Sequence, residues 1–163
     1  MRSRLRFVPH VKLLIMRNLK KVFLTSFMLF IAIAINAQHK NAYDWTRVIN
    51  AIAQVESGGN PKAHNPNGDC AGLLQIKRCL VQECNNILKR QKSTKRFTIS
   101  DRYNAEKSKE MFILIQEHYN KEHSIEKAIR CWNGGFYLEK KVGRKCFVQK
   151  TEKYYRKVMA HYR

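Results

Sequence analysis

The stretch AIAQVESGGNP, Ala51 to Pro61, decides how the chain is read. Upstream of it Trp45, Val48, Ile49 and Ile52 recur at i, i+3, i+4 and i+7, the spacing of one apolar helix face, with Asp44 placed to cap the start. Four residues further along that face stands Glu56, so its carboxylate is expected to lean towards the core. The helix should stop at Ser57-Gly58-Gly59-Asn60-Pro61, because glycine suits a left-handed C-cap and the residue before proline avoids helical geometry. At a helix C-terminus both desolvation and the helix dipole favour the protonated carboxyl, and an acid kept neutral near pH 7 can act as a general acid. Spacing alone serves equally well for a glutamate that frays into solvent.

Working outward, the N-terminal 37 residues carry Arg2, Arg4, Arg6, Lys12, Arg17, Lys20 and Lys21 with no acid, followed by an apolar run from Val22 to Ile35. That layout is a signal peptide's, with Met16 as an alternative start and cleavage expected after Ala37. About fourteen apolar residues fall short of the roughly twenty a spanning helix needs, so no stable membrane anchor is expected after cleavage. The expected domain is residues 38–163, one helix-rich unit without repeat or linker, periplasmic or secreted. Beyond residue 37 there are 25 basic residues against 12 acidic, a net charge of +13. For an exported chain the available polyanions are wall polymers and lipids. Nucleic acid is not an expected partner, since the densest basic run, Lys89 to Arg96, contains no aromatic residue for stacking.

The five cysteines, Cys70, Cys79, Cys84, Cys131 and Cys146, would meet an oxidising compartment after export, and their odd number leaves at least one unpaired. No CxxC pair or His spacing suggests a metal, and no cofactor is expected. Past the first helix, His64 to Asp69 is a cluster of turn formers, then comes Gly72-Leu73-Leu74-Gln75-Ile76. Gln75 among hydrophobes is either satisfied by the backbone or turned into a cleft. Further helical faces are Leu80-Cys84-Ile87-Leu88, Met111-Phe112-Ile115-Tyr119 from about Asn104, and Ile125-Ala128-Ile129-Trp132 after a Ser124 cap. The last of these ends at Asn133-Gly134-Gly135, where Trp132 is either core or a ring facing a ligand. A short hairpin is expected around Val142-Gly143-Arg144 and a final helix from near Thr151, with Tyr154, Tyr155, Val158 and Tyr162 inward.

Taken together these residues resemble the soluble lytic transglycosylases, whose fold is lysozyme-like. The family's Glu-Ser before a Gly-Asn-Pro turn is similar to Glu56-Ser57-Gly58-Gly59-Asn60-Pro61, and its Gly-Leu-Leu/Met-Gln-Ile/Leu motif to Gly72–Ile76. Its Ala-Tyr-Asn-x-Gly resembles Cys131-Trp132-Asn133-Gly134-Gly135, with cysteine for alanine and tryptophan for tyrosine. Its Thr-x-x-Tyr followed by an apolar residue resembles Thr151–Tyr154, with Tyr155 where valine is usual. The four occur in the family's order over about a hundred residues.

The resemblance implies a mainly α fold of the lysozyme-like α+β superfamily, with at most a small β-hairpin. It implies cleavage of the β-1,4 bond between N-acetylmuramic acid and N-acetylglucosamine in peptidoglycan strands, with closure of a 1,6-anhydro ring. Glu56 would be acid and then base, Tyr154 would orient it, and Ser57, Gln75, Trp132 and Asn133 would hold the sugar. The expected state is a monomer, and a secretion or conjugation apparatus is the candidate protein partner. Two rivals share the fold. One is a lysozyme-type hydrolase in which Asp69 or Asp101 positions a water, as two-carboxylate glycosidases do at about 5–9.5 Å; the other is a non-catalytic wall-binding protein. Membrane disruption by charge alone is a weaker reading, because no amphipathic basic helix stands out beyond the leader.

Overall fold

The computed structural model describes residues 43–163, so the expected leader, its cleavage point and its alternative start at Met16 lie outside the described residues. Residues Asp44–Arg163 form one compact unit. Helix α1 spans Thr46–Ser57 and buries Val48, Ile49, Ala51, Ile52 and Ala53. The N-cap position falls on Trp45, which supplies no side-chain cap, rather than on Asp44 as expected; Asp44, one residue earlier, accepts from the Thr46 N–H through Oδ1 at 2.9 Å. Trp45 is buried just before the first turn and meets Phe112 edge-on at 5.8 Å. At the other end Gly58 adopts φ 63°, its N–H donating to Gln54 O while Gly59 N–H donates to Ala53 O. This Schellman closure ends the helix at Ser57 and leaves Glu56 in the last turn.

The chain then builds a small antiparallel sheet from β1 (His64–Asn65), β2 (Cys70–Ala71) and β3 (Ile76–Lys77), in that order, with a 3-10 turn at Pro66–Gly68. The register pairs His64 with Ala71 and Cys70 with Lys77. The β structure therefore begins in the stretch read as turn formers, continues just before the glycine-leucine motif and resumes at that motif's last residue. It is absent from 142–144, where a hairpin was expected. Strands of two residues leave no alternation to detect. Their register is held by a buried guanidinium: Arg102 donates to Asp69 O (2.9 Å), Ile76 O (3.1 Å) and Ile99 O (3.0 Å). Gly72, at φ +80°, lies so close to this support that a Cβ there would fall 1.6 Å from the Arg102 carbonyl oxygen. Only glycine fits.

Helix α2 (Arg78–Arg90) buries Val81, Cys84, Ile87 and Leu88, and a 3-10 turn at Ile99–Tyr103 leads to α3 (Ala105–Tyr119). Asn104 caps α3 by accepting from the Lys107 N–H, and Ser124 does the same for α4 (Ile125–Gly134) through the Lys127 N–H. After a turn at Phe136-Tyr137 the region is helical: α5 (Leu138–Val142) and α6 (Arg144–His161) meet at Gly143, φ +79°. The final helix thus begins at Arg144, seven residues before Thr151. Phe147, Thr151 and Val158 are its buried positions, and the Phe147 end of that face is masked in the sequence by flanking lysines. The result, six helices and one three-stranded sheet among the described residues, is the helix-rich lysozyme-like architecture expected, with a sheet slightly larger than a hairpin.

Candidate active site

Glu56 stands where two cavities meet. One, of about 470 Å³, has Ile76, Leu80, Trp132 and Phe136 as apolar wall and Gln75 and Asn133 as amides. The other, of about 420 Å³, runs between the end of α1 and one side of α6 and is lined by Val55, Asn133, Lys150, Lys153, Tyr154 and Lys157. Glu56 and Asn133 belong to both. Among the described residues Glu56 is the sole carboxylate lining either cavity.

Tyr154 reaches Glu56 from α6, its hydroxyl donating to Oε1 at 2.6 Å. Burial raises the pKa of the half-buried carboxyl above its ordinary value, while the Tyr154 hydrogen bond and the positive charge of Lys77 pull the other way. The net direction is up, as expected for an acid poised to give a proton. Burial and the neighbouring Glu56 push the Tyr154 phenol far above its usual range, so it remains a donor at any working pH.

Gln75 does both things its sequence context allowed. Its Nε2 donates to Gly72 O (3.0 Å) and Ala63 O (3.4 Å), and its side chain lines the larger cavity. It holds φ 49°, a left-handed backbone that a non-glycine residue rarely adopts. Trp132 is likewise part core and part wall: its ring packs on Phe112 at 5.0 Å and its Nε1–H donates to Leu74 O at 3.2 Å. That bond ties the ring to the Gly72–Ile76 segment. Asn133 is exposed at the mouth. Ser57 stands apart from these, because its hydroxyl donates to Leu73 O (2.7 Å) and Ala53 O (3.2 Å) and lines neither cavity. In this arrangement it clamps the helix end to the same segment.

Cys70, Cys79 and Cys131 also face the larger cavity, and all five thiols are free. Burial pushes Cys131 up to about 11, so it stays a neutral, small apolar wall element where the motif has alanine. Asp69 and Asp101 are engaged elsewhere. Asp69 pairs with Arg78 at 2.7 Å and with Arg102, while Asp101 accepts from the Thr98 N–H at 2.8 Å in a capping box.

Several residues of the site carried no local signal. Arg102 is a lone arginine in a turn, yet it fixes the strands that present Gln75. Arg130, buried on α4, donates to Glu126 (2.8 Å), Glu152 (2.9 Å), Val148 O (3.2 Å) and Thr151 Oγ1 (3.1 Å), and so locks α6 in place. This also accounts for Thr151, one turn before Tyr154, as the buried acceptor of that clamp. Lys77 and the three α6 lysines become neighbours of Glu56 only through the fold.

No curated protein matches the chain. The family model described as Transglycosylase SLT domain matches residues 33–155, about three quarters of the chain, and spans all four motifs gathered at Glu56. The chain belongs to the transglycosylase SLT domain family, whose members act on peptidoglycan.

Proposed function

We propose that this protein cleaves the β-1,4 bond between N-acetylmuramic acid and N-acetylglucosamine in peptidoglycan and leaves a 1,6-anhydromuramic end. The observation that carries the reading is a single raised-pKa carboxyl, Glu56, held by the Tyr154 hydroxyl at 2.6 Å with no second carboxylate lining the cleft among the described residues. A hydrolase of the two-carboxylate kind needs a base across the scissile bond. Asp69 and Asp101, the candidates for that base, are committed to arginines and to a helix cap.

In the proposed reaction Glu56 gives its proton to the leaving glycosidic oxygen as the bond to C1 of the muramic acid breaks. The substrate's N-acetyl oxygen covers the positive charge at C1. Glu56, now a carboxylate, takes the proton of the C6 hydroxyl, whose oxygen closes on C1. The proton returns to the residue that lost it, and no water enters. Tyr154 orients Glu56 and offsets its charge in the second half. Gln75 and Asn133 face the cavity as hydrogen-bonding groups for the sugar, Trp132 supplies a flat apolar wall, and Ser57 holds the segment that carries Gln75. We further propose that residues 1–37 are removed on export and that the domain 38–163 works as a monomer outside the cytoplasm. A secretion or conjugation apparatus is its proposed protein partner.

The test is a digest of purified peptidoglycan by residues 38–163, read by mass spectrometry. Anhydro ends are expected, and Glu56→Gln should lower their release by about a thousandfold. Products bearing only reducing ends, one water heavier, would favour the lysozyme-type rival. Binding with no turnover would favour the wall-binding one.

A further inference from the structure

The smaller cavity does not resemble the larger one in chemistry. Val55, Glu56, Asn133 and Tyr154 line it together with Lys150, Lys153 and Lys157. These three stand at i, i+3 and i+7 on α6, one face of the helix, next to Tyr154. Each is exposed, and none enters an ion pair or hydrogen bond among the described residues. The acid of the same helix is turned elsewhere: Glu152 sits on the opposite face, consumed by Arg130 (2.9 Å) and Arg156 (2.7 Å). Folding therefore leaves one side of α6 charge-neutralised and the other as a row of uncompensated ammonium groups along a cavity that opens onto Glu56. The cation that acts most on Glu56 itself is Lys77, from the far side of the site.

We infer that the Lys150-Lys153-Lys157 face is a subsite for carboxylates carried on the substituent of the muramic acid next to the scissile bond, so that the protein selects acid-bearing strands over bare neutral glycan. This rests on the proposed glycosidic reaction, since it is the muramic sugar that brings such groups beside Glu56. That sugar carries a lactyl ether, which ends either in its own carboxylate or in a peptide with several. Lysine suits the task better than arginine, because point charges on flexible stems can follow carboxylates at variable positions, whereas a guanidinium fork demands one geometry.

Binding to the full chain carrying Glu56→Gln, which holds strands without turning them over, tests this. The probes are soluble peptide-bearing strands, strands stripped of peptide so that only lactyl carboxylates remain, peptide-bearing strands with every carboxyl converted to the methylamide, and the neutral N-acetylglucosamine hexamer. Peptide-bearing strands should bind about tenfold more tightly than their methylamides. Lys150→Ala/Lys153→Ala/Lys157→Ala should bring that ratio close to one while leaving hexamer binding and the thermal midpoint unchanged. Removing equal charge elsewhere, with Lys89→Ala/Lys92→Ala/Lys121→Ala, should preserve the ratio. Stripped strands that bind like intact ones assign the subsite to the lactyl group, and stripped strands that bind like methylamides assign it to the peptide. The inference is overturned if the α6 triple variant keeps the ratio, if both triple variants lose it equally, or if no ratio exists. In those cases hexamer binding by the Glu56→Gln protein leaves the cleavage reading standing. Failure to bind any of the four probes removes both.

Discussion

Glu56 is held between opposed influences, and their balance sets its working pH. Burial raises its pKa; Tyr154 and Lys77, in that order, lower it. Tyr154→Phe deletes the larger of the lowering influences, so the carboxyl should stay protonated to higher pH. A reaction that begins with a protonated Glu56 loses rate as pH rises through that pKa, and the basic limb of kcat/KM should therefore move to higher pH in Tyr154→Phe. The maximal rate should fall about ten- to a hundredfold, because the anion formed after proton donation has lost its hydrogen bond. Lys77→Ala should displace the limb the same way by less. A pH–rate series on soluble strands checks both, and a limb that moves to lower pH in Tyr154→Phe would contradict this account. The same shift bears on stability with a definite sign. An acid whose folded pKa lies above the ordinary 4.5 contributes stability that is complete below 4.5 and is lost as pH rises through the folded value. Glu56→Gln should flatten that slope.

At the scale of elements, the site is the crossing of α1 with α6, and α6 is held there by the buried Phe147 and Val158 together with the polar clamp of Arg130. Its guanidinium is buried, it lies over the Tyr155 ring at 4.2 Å, and its hydrogen bonds span both carboxylates and the α6 backbone. Arg130→Met keeps much of the volume and removes every donor. Glu126 and Glu152 are open enough to be rehydrated, so the expected loss is about 2 kcal/mol, below that of a fully enclosed broken pair. Because α6 carries Tyr154, kcat should also fall by about tenfold through misplacement of the phenol. Urea denaturation together with kinetics on one preparation measures the two. Arg130→Lys should recover little of either, since one ammonium cannot reach two carboxylates, the Val148 carbonyl and the Thr151 hydroxyl together.

Over the whole molecule, residues 38–163 hold 25 basic groups against 12 acidic, an excess far beyond what the α6 face contains. Such a field concentrates a polyanionic substrate and is screened by salt. Between 50 and 500 mM salt KM on acid-bearing strands is expected to rise by about tenfold, with kcat changing less than twofold because Glu56 and Tyr154 sit inside the cleft. Steady-state kinetics across that range checks it; a fall in kcat at constant KM would place the salt effect in the chemistry.

What the sequence determined by itself is whatever local physics encodes. The i, i+3, i+4 apolar faces, the helix start near Asn104, the Ser124 cap and the Gly58 stop are read from neighbours along the chain, and the structure has them where expected. The four motifs around Glu56, Gln75, Asn133 and Tyr154 were legible only as a resemblance to a family, since spacing by itself left the role of Glu56 open. The start of α6 was not, because its inward residues are interleaved with lysines that belong to another face. Nor was the sheet, whose two-residue strands are held by Arg102 from a distant turn rather than by their own pattern. Only the tertiary structure decided that Ser57 spends its hydroxyl on Leu73, that Asp69 and Asp101 are occupied away from the cleft, and that Arg130 sets the helix bearing Tyr154. Those are contacts between residues tens of positions apart or choices among competing partners, and such outcomes are settled by packing and electrostatics in three dimensions.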